Sequence, residues 1–155
     1  MAVKKALIVG ASRGLGLGLT TRLAERGWQV TATSRHSGGE LEALATGSGG
    51  SVTVESVDIN DAASVTELHD RLSDSTFDLI FVNAGITHDR WETVADVSTE
   101  TFDRVMVTNA LSPMRFVERF HDLVPSSGTI GVMSSGQGSI TNNCLLYTSD
   151  AADEE

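Results

Sequence analysis

The feature that most constrains this chain is an apolar strand that hands over to a helix through three glycines. Ala6-Leu7-Ile8-Val9 is an unbroken apolar run, the pattern of a parallel strand covered on both faces. It ends at Gly10. Leu15, Leu19 and Leu23 then recur every four residues with Arg22, Glu25 and Arg26 between them, which predicts a helix from Gly14 with one buried face and Gly27 closing it. The glycines are spaced Gly10-x-x-x-Gly14-x-Gly16. Glycine lets a chain bend where a side chain would clash, and lets N–H groups approach an anion at the positive end of a helix. Two readings stand: a cradle for a pyrophosphate, or only a tight strand-to-helix connection.

The rest of the chain repeats the alternation. Trp28 to Thr33 is rich in strand formers, Glu40 to Ala45 is a short helix candidate before a Gly/Ser-rich loop, and Val52 to Val57 alternates as a strand. Asn60-Asp61 can cap the next helix, whose buried face is marked by Val65, Leu68 and Leu72. Asp78 to Val82 reads as a fourth strand stopping at Asn83-Ala84-Gly85. After an exposed connection with Trp91, Ser98 or Thr99 can cap a long helix with an apolar stripe of Phe102, Val105, Met106 and Ala110. Pro113 should bend that helix before Met114, Phe116, Val117 and Phe120 continue it. Thr129 to Met133 forms a fifth strand running into Ser134-Ser135. Alternating strands and helices predict an α/β fold, a doubly wound parallel sheet with right-handed crossovers and helices on both faces.

Composition narrows the function. A chain of 155 residues with 40% hydrophobic residues suits one soluble α/β domain or part of one. No apolar run reaches membrane-spanning length, and no apolar leader with a cleavage site precedes the first strand, so the expected compartment is the cytoplasm. A formal charge of −10 disfavours nucleic acid and anionic membranes. The single Cys144 excludes a disulfide framework, and His36, His69, His88 and His121 lie on separate segments without metal-ligand spacing. They read as surface or satisfied histidines, and no metal is expected.

Several polar residues sit where such a fold binds a dinucleotide. A site that prefers NAD places an acid about twenty residues past the glycine turn to hold the ribose 2′-OH. This chain has Ser34 and Arg35 there, with Arg13 inside the turn. Two guanidiniums suit the 2′-phosphate of NADP; as single residues, both also read as solvated surface arginines. Asp58 can accept from the adenine amino group or serve as a helix-entry residue. Asn83-Ala84-Gly85 leaves room for a ligand at a strand's carboxyl end, or is a plain turn. Asn109 interrupts a helix, so it faces solvent or has a partner worth the cost.

Together, Gly10-x-x-x-Gly14-x-Gly16, Asp58, Asn83-Ala84-Gly85, Asn109 and Ser134-Ser135 resemble the short-chain dehydrogenase/reductase family from Lys4 to about Asn143. Val9 stands where the family often has Thr. The resemblance implies a Rossmann-type sheet, truncated here after its fifth strand, and hydride exchange between nicotinamide and a small carbonyl or alcohol. The cofactor-binding residues it implies are Gly10, Ser12, Arg13, Gly14, Leu15, Gly16, Arg35, Asp58, Ile59, Asn83, Ala84 and Gly85, with NADP preferred over NAD. Ser135 would hydrogen-bond the substrate oxygen and Asn109 would complete a proton path. The whole protein is expected to be a homo-oligomer. A non-catalytic dinucleotide sensor is the alternative, since binding needs no catalytic tyrosine.

The family's Tyr-x-x-x-Lys is not found. Tyr147 stands at a suitable distance from Ser135, but Ala151 takes the lysine's place, and the only lysines are Lys4 and Lys5. Ionising an unassisted tyrosine, with a pKa of about 10, costs roughly 4 kcal/mol at pH 7, and Asp150, Asp153, Glu154 and Glu155 raise that cost. Moreover, Cys144 to Glu154 reads as the in-frame translation of a common transposase sequencing adapter. The expectation is therefore an incomplete NAD(P)-binding domain at 1–143, a non-native tail at 144–155, and negligible turnover.

Overall fold

The computed structural model describes residues 2–135 apart from 88, 90 and 94. Its elements are β1 (Lys5–Val9), α1 (Gly14–Glu25), β2 (Gln29–Ser34), α2 (Glu40–Gly47), β3 (Val52–Ser56), α3 (Ala62–Leu72), β4 (Leu79–Val82), α4 (Thr99–Met106), α5 (Ser112–Phe120) and β5 (Thr129–Val132). A π-helical turn, Val107–Leu111, joins α4 to α5, and a 3-10 turn, His121–Leu123, follows α5.

All strand pairs are parallel, in the order β3-β2-β1-β4-β5. Successive residues of β1 face opposite ways, and each way is covered. Leu7 and Val9 pack with Val65, Leu68 and Leu72 of α3 and with Phe116 and Phe120 of α5. Ala6 and Ile8 pack with Leu23 of α1 and Leu41 of α2. That double covering is why β1 reads as one apolar run rather than an alternation. Phe116 and Phe120 stack at 4.1 Å between ring centroids, anchoring α5.

The chain lays down β1, β2 and β3 in one direction, then crosses back to place β4 on the other side of β1. This reversal opens a crevice beyond the carboxyl ends of β1 and β4, where open α/β sheets take ligands. The helix starts foreseen at Asp61 and Ser98 are real caps, accepting from the N–H groups of Ala63 and Thr101.

Two details differ from expectation. The buried face of α1 is Gly16, Thr20 and Leu23, whereas Leu15 is 73% exposed. The helix approaches the sheet through its small residues, so Leu15 is lifted to the rim of the crevice. The bend expected at Pro113 takes the form of the π-helical turn just before it. Proline supplies no N–H to the preceding turn, and a widened turn absorbs the mismatch.

Candidate dinucleotide-binding cleft

The glycine turn is built by close packing. Gly10 has φ of +84°, and a Cβ there would lie 2.6 Å from Ala84 Cα, so the ends of β1 and β4 meet only because this residue lacks one. A Cβ on Gly16 would strike the Gly10 carbonyl and lie 2.7 Å from Asn83 Nδ2. Asn83 Nδ2 donates to the Gly10 carbonyl at 2.8 Å, and the Asn83 N–H donates to Val9 at 2.9 Å. From β2, Thr33 Oγ1 accepts from the Gly10 N–H at 3.1 Å and its carbonyl accepts from Ala11 at 2.8 Å. The first two amides of the turn are thus used internally.

The N–H groups of Ser12, Arg13 and Gly14 have no such bond among the described residues. The start of α1 has no side-chain cap from Arg13 and no acidic residue in its first turn, and a helix leaves its first N–H groups without intrahelical partners. Positive helix dipole and open donors make this end fit an anion. Arg13 and Arg35 are both exposed, and neither makes an ion pair among the described residues.

These parts line one cleft of about 370 Å³, a size within the range of small-molecule sites. Gly10, Ser12, Arg13, Gly14, Leu15, Arg35, Asp58, Ile59, Asn83, Ala84 and Gly85 all line it. Gly16 does not; it lies buried beneath the turn and acts by admitting the Gly10 carbonyl. Asp58 accepts from the Asn60 N–H at 2.9 Å through Oδ1.

Asn109 lies in the π-helical turn, where it is exposed and also has a partner. Its Nδ2 donates to the Ile86 carbonyl at 2.7 Å, and its Oδ1 accepts from the Ile86 N–H at 2.9 Å. Ser135 is exposed beyond the end of β5 and does not line the cleft. Tyr147 and the tail fall outside the described residues.

Seven lining residues were not among the candidate site residues: Val9, Thr33, Ser34, Val57, Asn60, Ile86 and Thr108. Thr33 had a usable signal, being the last but one residue of the strand that feeds Arg35. The others each adjoin a candidate residue in the chain, Val9 beside Gly10, Ser34 beside Arg35, Val57 beside Asp58, Asn60 beside Ile59, Ile86 beside Gly85 and Thr108 beside Asn109, a signal that could have found them. Among the described residues no group of three His, Cys, Asp or Glu is placed to hold a metal, and no helix is long and apolar enough to cross a membrane.

The sequence matches the short chain dehydrogenase family over residues 4–149. This chain belongs to the short-chain dehydrogenase family. Among family members, a 1-hydroxy-2-glutathionyl-2-methyl-3-butene dehydrogenase from Rhodococcus is 30% identical over 141 residues, covering 88% of this chain and 58% of that protein. An NADPH-dependent pterin aldehyde reductase from Arabidopsis thaliana is 33% identical, covering 89% and 59%. In three dimensions, a short-chain dehydrogenase/reductase from Burkholderia multivorans with bound NADP superposes with a TM-score of 0.87 at 46% identity, covering 92% of this chain and 63% of that one. A carbonyl reductase from Pseudomonas aeruginosa in complex with NADP gives 0.86 at 33%, covering 90% and 62%. This short-chain dehydrogenase chain therefore spans about three fifths of the length of these relatives.

Proposed function

We propose that the cleft binds NADP and that the whole protein is an NADP-dependent oxidoreductase acting on a small carbonyl or alcohol. One observation carries the reading: Arg13 and Arg35, neither in an ion pair among the described residues, flank a helix start without a side-chain cap, and no carboxylate ends β2. Names of similar proteins that bind or use NADP support it.

When bound, NADP supplies or accepts the hydride. The open amides of the Gly10 to Gly16 turn hold the pyrophosphate, helped by Ser12, while Arg13 and Arg35 hold the 2′-phosphate in the forked manner of guanidinium. Asp58 accepts from the adenine amino group, and Leu15 and Ile59 give the cleft apolar wall. Asn83 keeps the Gly10 carbonyl turned away from the phosphates, and Ala84 and Gly85 keep the floor low. Ser135 donates to the substrate oxygen and Asn109 belongs to the proton path, both as the family resemblance implies.

A proton must also reach that oxygen. With Ala151 four places after Tyr147, a lysine beside the cleft would have to be Lys4 or Lys5. Lys5 opens β1 and the cleft lies past its other end, about 16 Å away at roughly 3.3 Å per residue. This polypeptide is therefore expected to turn over negligibly, and a steady-state rate on any carbonyl comparable to that of intact relatives would overturn the expectation.

Fluorescence titration with NADPH and NADH tests the cofactor. Tighter NADPH is expected; equal affinity, or tighter NADH, defeats the preference, and no affinity for either defeats the dinucleotide reading. We further assign 1–143 to the dinucleotide-binding part and 144–155 to foreign sequence, which codons for this tail within intact genomic DNA would refute. The uncovered apolar side chains of Phe102, Met106, Leu111 and Met114 support a homo-oligomeric parent. Sedimentation of the whole protein as a monomer would count against that.

A further inference from the structure

We propose that Asn60 is a positioning residue that braces the turn carrying Asn109 from the adenine side of the cleft, so that a ligand on that side holds the opposite side in place. The proposal rests on the dinucleotide reading above.

Asn60 follows Asp58-Ile59 in the loop between β3 and α3. The loop's backbone N–H groups find side-chain acceptors: the Asn60 N–H donates to Asp58 Oδ1 at 2.9 Å, and the Asp58 N–H donates to Ser64 Oγ at 3.1 Å. The Asn60 side chain is left to reach outward. Its Nδ2 donates to Thr108 Oγ1 at 2.9 Å and its Oδ1 accepts from Ser112 Oγ at 2.7 Å. Thr108 and Ser112 are 6% and 2% exposed, and hydroxyls buried that deeply need partners. Because Asn60 serves both through opposite ends of one planar amide, it cannot rotate without orphaning one of them.

Thr108 precedes Asn109 in the π-helical turn, and Asn109 grips the Ile86 backbone at both its N–H and its carbonyl. Asp58, Asn60, Thr108 and Ile86 all line the cleft. A continuous run of hydrogen bonds and adjacent residues therefore crosses from the loop at Asp58, through Asn60 and Thr108, to Asn109 and Ile86. Restraining Asp58 restrains the loop, and the two-ended amide passes that restraint to the turn. A hydrogen bond that served stability alone would be indifferent to whether the adenine side is filled.

The test uses the full chain with adenosine 2′,5′-bisphosphate, which carries the adenosine half of NADP and no nicotinamide, and reads hydrogen exchange at the Ile86 amide by NMR at saturation. In the native chain, bound bisphosphate should slow that exchange about tenfold. Thr108→Val and Ser112→Ala, the second outside the cleft lining, should each lose most of this response. Thr66→Ala breaks a hydrogen bond within α3, from Thr66 Oγ1 to the Ala62 carbonyl, that belongs neither to the loop nor to the turn, and should keep it. The proposal is overturned if the native chain binds the bisphosphate without a change at Ile86, if both brace variants respond as the native chain does, or if Thr66→Ala loses the response equally. Failure of the native chain to bind the bisphosphate at all would defeat the dinucleotide reading itself, and the brace with it.

Discussion

Asn109 and Ile86 exchange two hydrogen bonds, at 2.7 Å and 2.9 Å, across 23 residues of sequence. A side chain that breaks the helical pattern is thereby turned into a clamp on the segment leaving β4. Replacing Asn109 by Ala removes both bonds and should lower stability by about 1–2 kcal/mol, given a modest net contribution from each. The expected signature is a lower urea midpoint with an unchanged slope; an unmoved midpoint would show that the clamp contributes nothing.

Two glycines of α1 should respond in opposite directions. A Cβ on Gly18 would meet nothing within 4 Å among the described residues, and its φ is not positive, so Gly18→Ala should stabilise by about 0.5–1 kcal/mol through helix propensity. At Gly16 the same change places a methyl against the Gly10 carbonyl and Asn83. Backbone must move there, and a loss of about 2 kcal/mol or more is expected, with nucleotide binding impaired. Thermal melts of the two variants decide it; equal effects would refute the packing account.

Arg35→Ser should discriminate between coenzymes. A guanidinium bound to a phosphate is worth roughly 1.5–3 kcal/mol, so NADPH affinity should fall about 10- to 100-fold. NADH has no 2′-phosphate and should bind nearly as before. Parallel titrations check this, and an equal loss for both coenzymes would place Arg35 away from the 2′-phosphate.

A separate polar contact ties α3 to the turn after α5. His69, 9% exposed, sets its Nε2 3.1 Å and 3.2 Å from the two oxygens of Asp122 and its ring edge-on to Phe120. Its Nδ1 lies 3.6 Å from Asp70 Oδ1, too long for a hydrogen bond. Desolvation is the largest single influence on Asp122 and raises its pKa. The His69 hydrogen bond and charge, the residue's own backbone and the His121 charge together outweigh it, holding the carboxyl below 3.8. A carboxyl depressed on folding stabilises above its unfolded pKa, and that contribution is lost as pH falls through the folded value. Asp122→Asn should therefore be less stable than the native chain near neutrality, with the gap closing below about pH 3.8. A gap constant from pH 7 to pH 3 would show that the Asp122 charge plays no part.

The sequence by itself determined the order of the elements, because buried parallel strands write themselves as apolar runs and half-buried helices as three-to-four-residue periods. Val65, Leu68 and Leu72 of α3 are buried as their spacing required, and Asp61 and Ser98 cap where their chemistry placed them. It also determined most of the cleft, since Gly10, Arg13, Arg35, Asp58 and Asn83 stand at strand ends that a parallel sheet must gather on one edge. Only tertiary structure decided which leucine of α1 is buried, because Gly16 packs against the Gly10 carbonyl and periodicity does not register a missing side chain. It alone left Phe102 and Met106 of α4 uncovered, since covering depends on what lies opposite rather than on the stripe itself. And it alone paired Asn109 with Ile86 and Asn60 with Thr108 and Ser112, because hydrogen bonds between residues far apart in sequence follow from how the layers pack, and no local pattern encodes them.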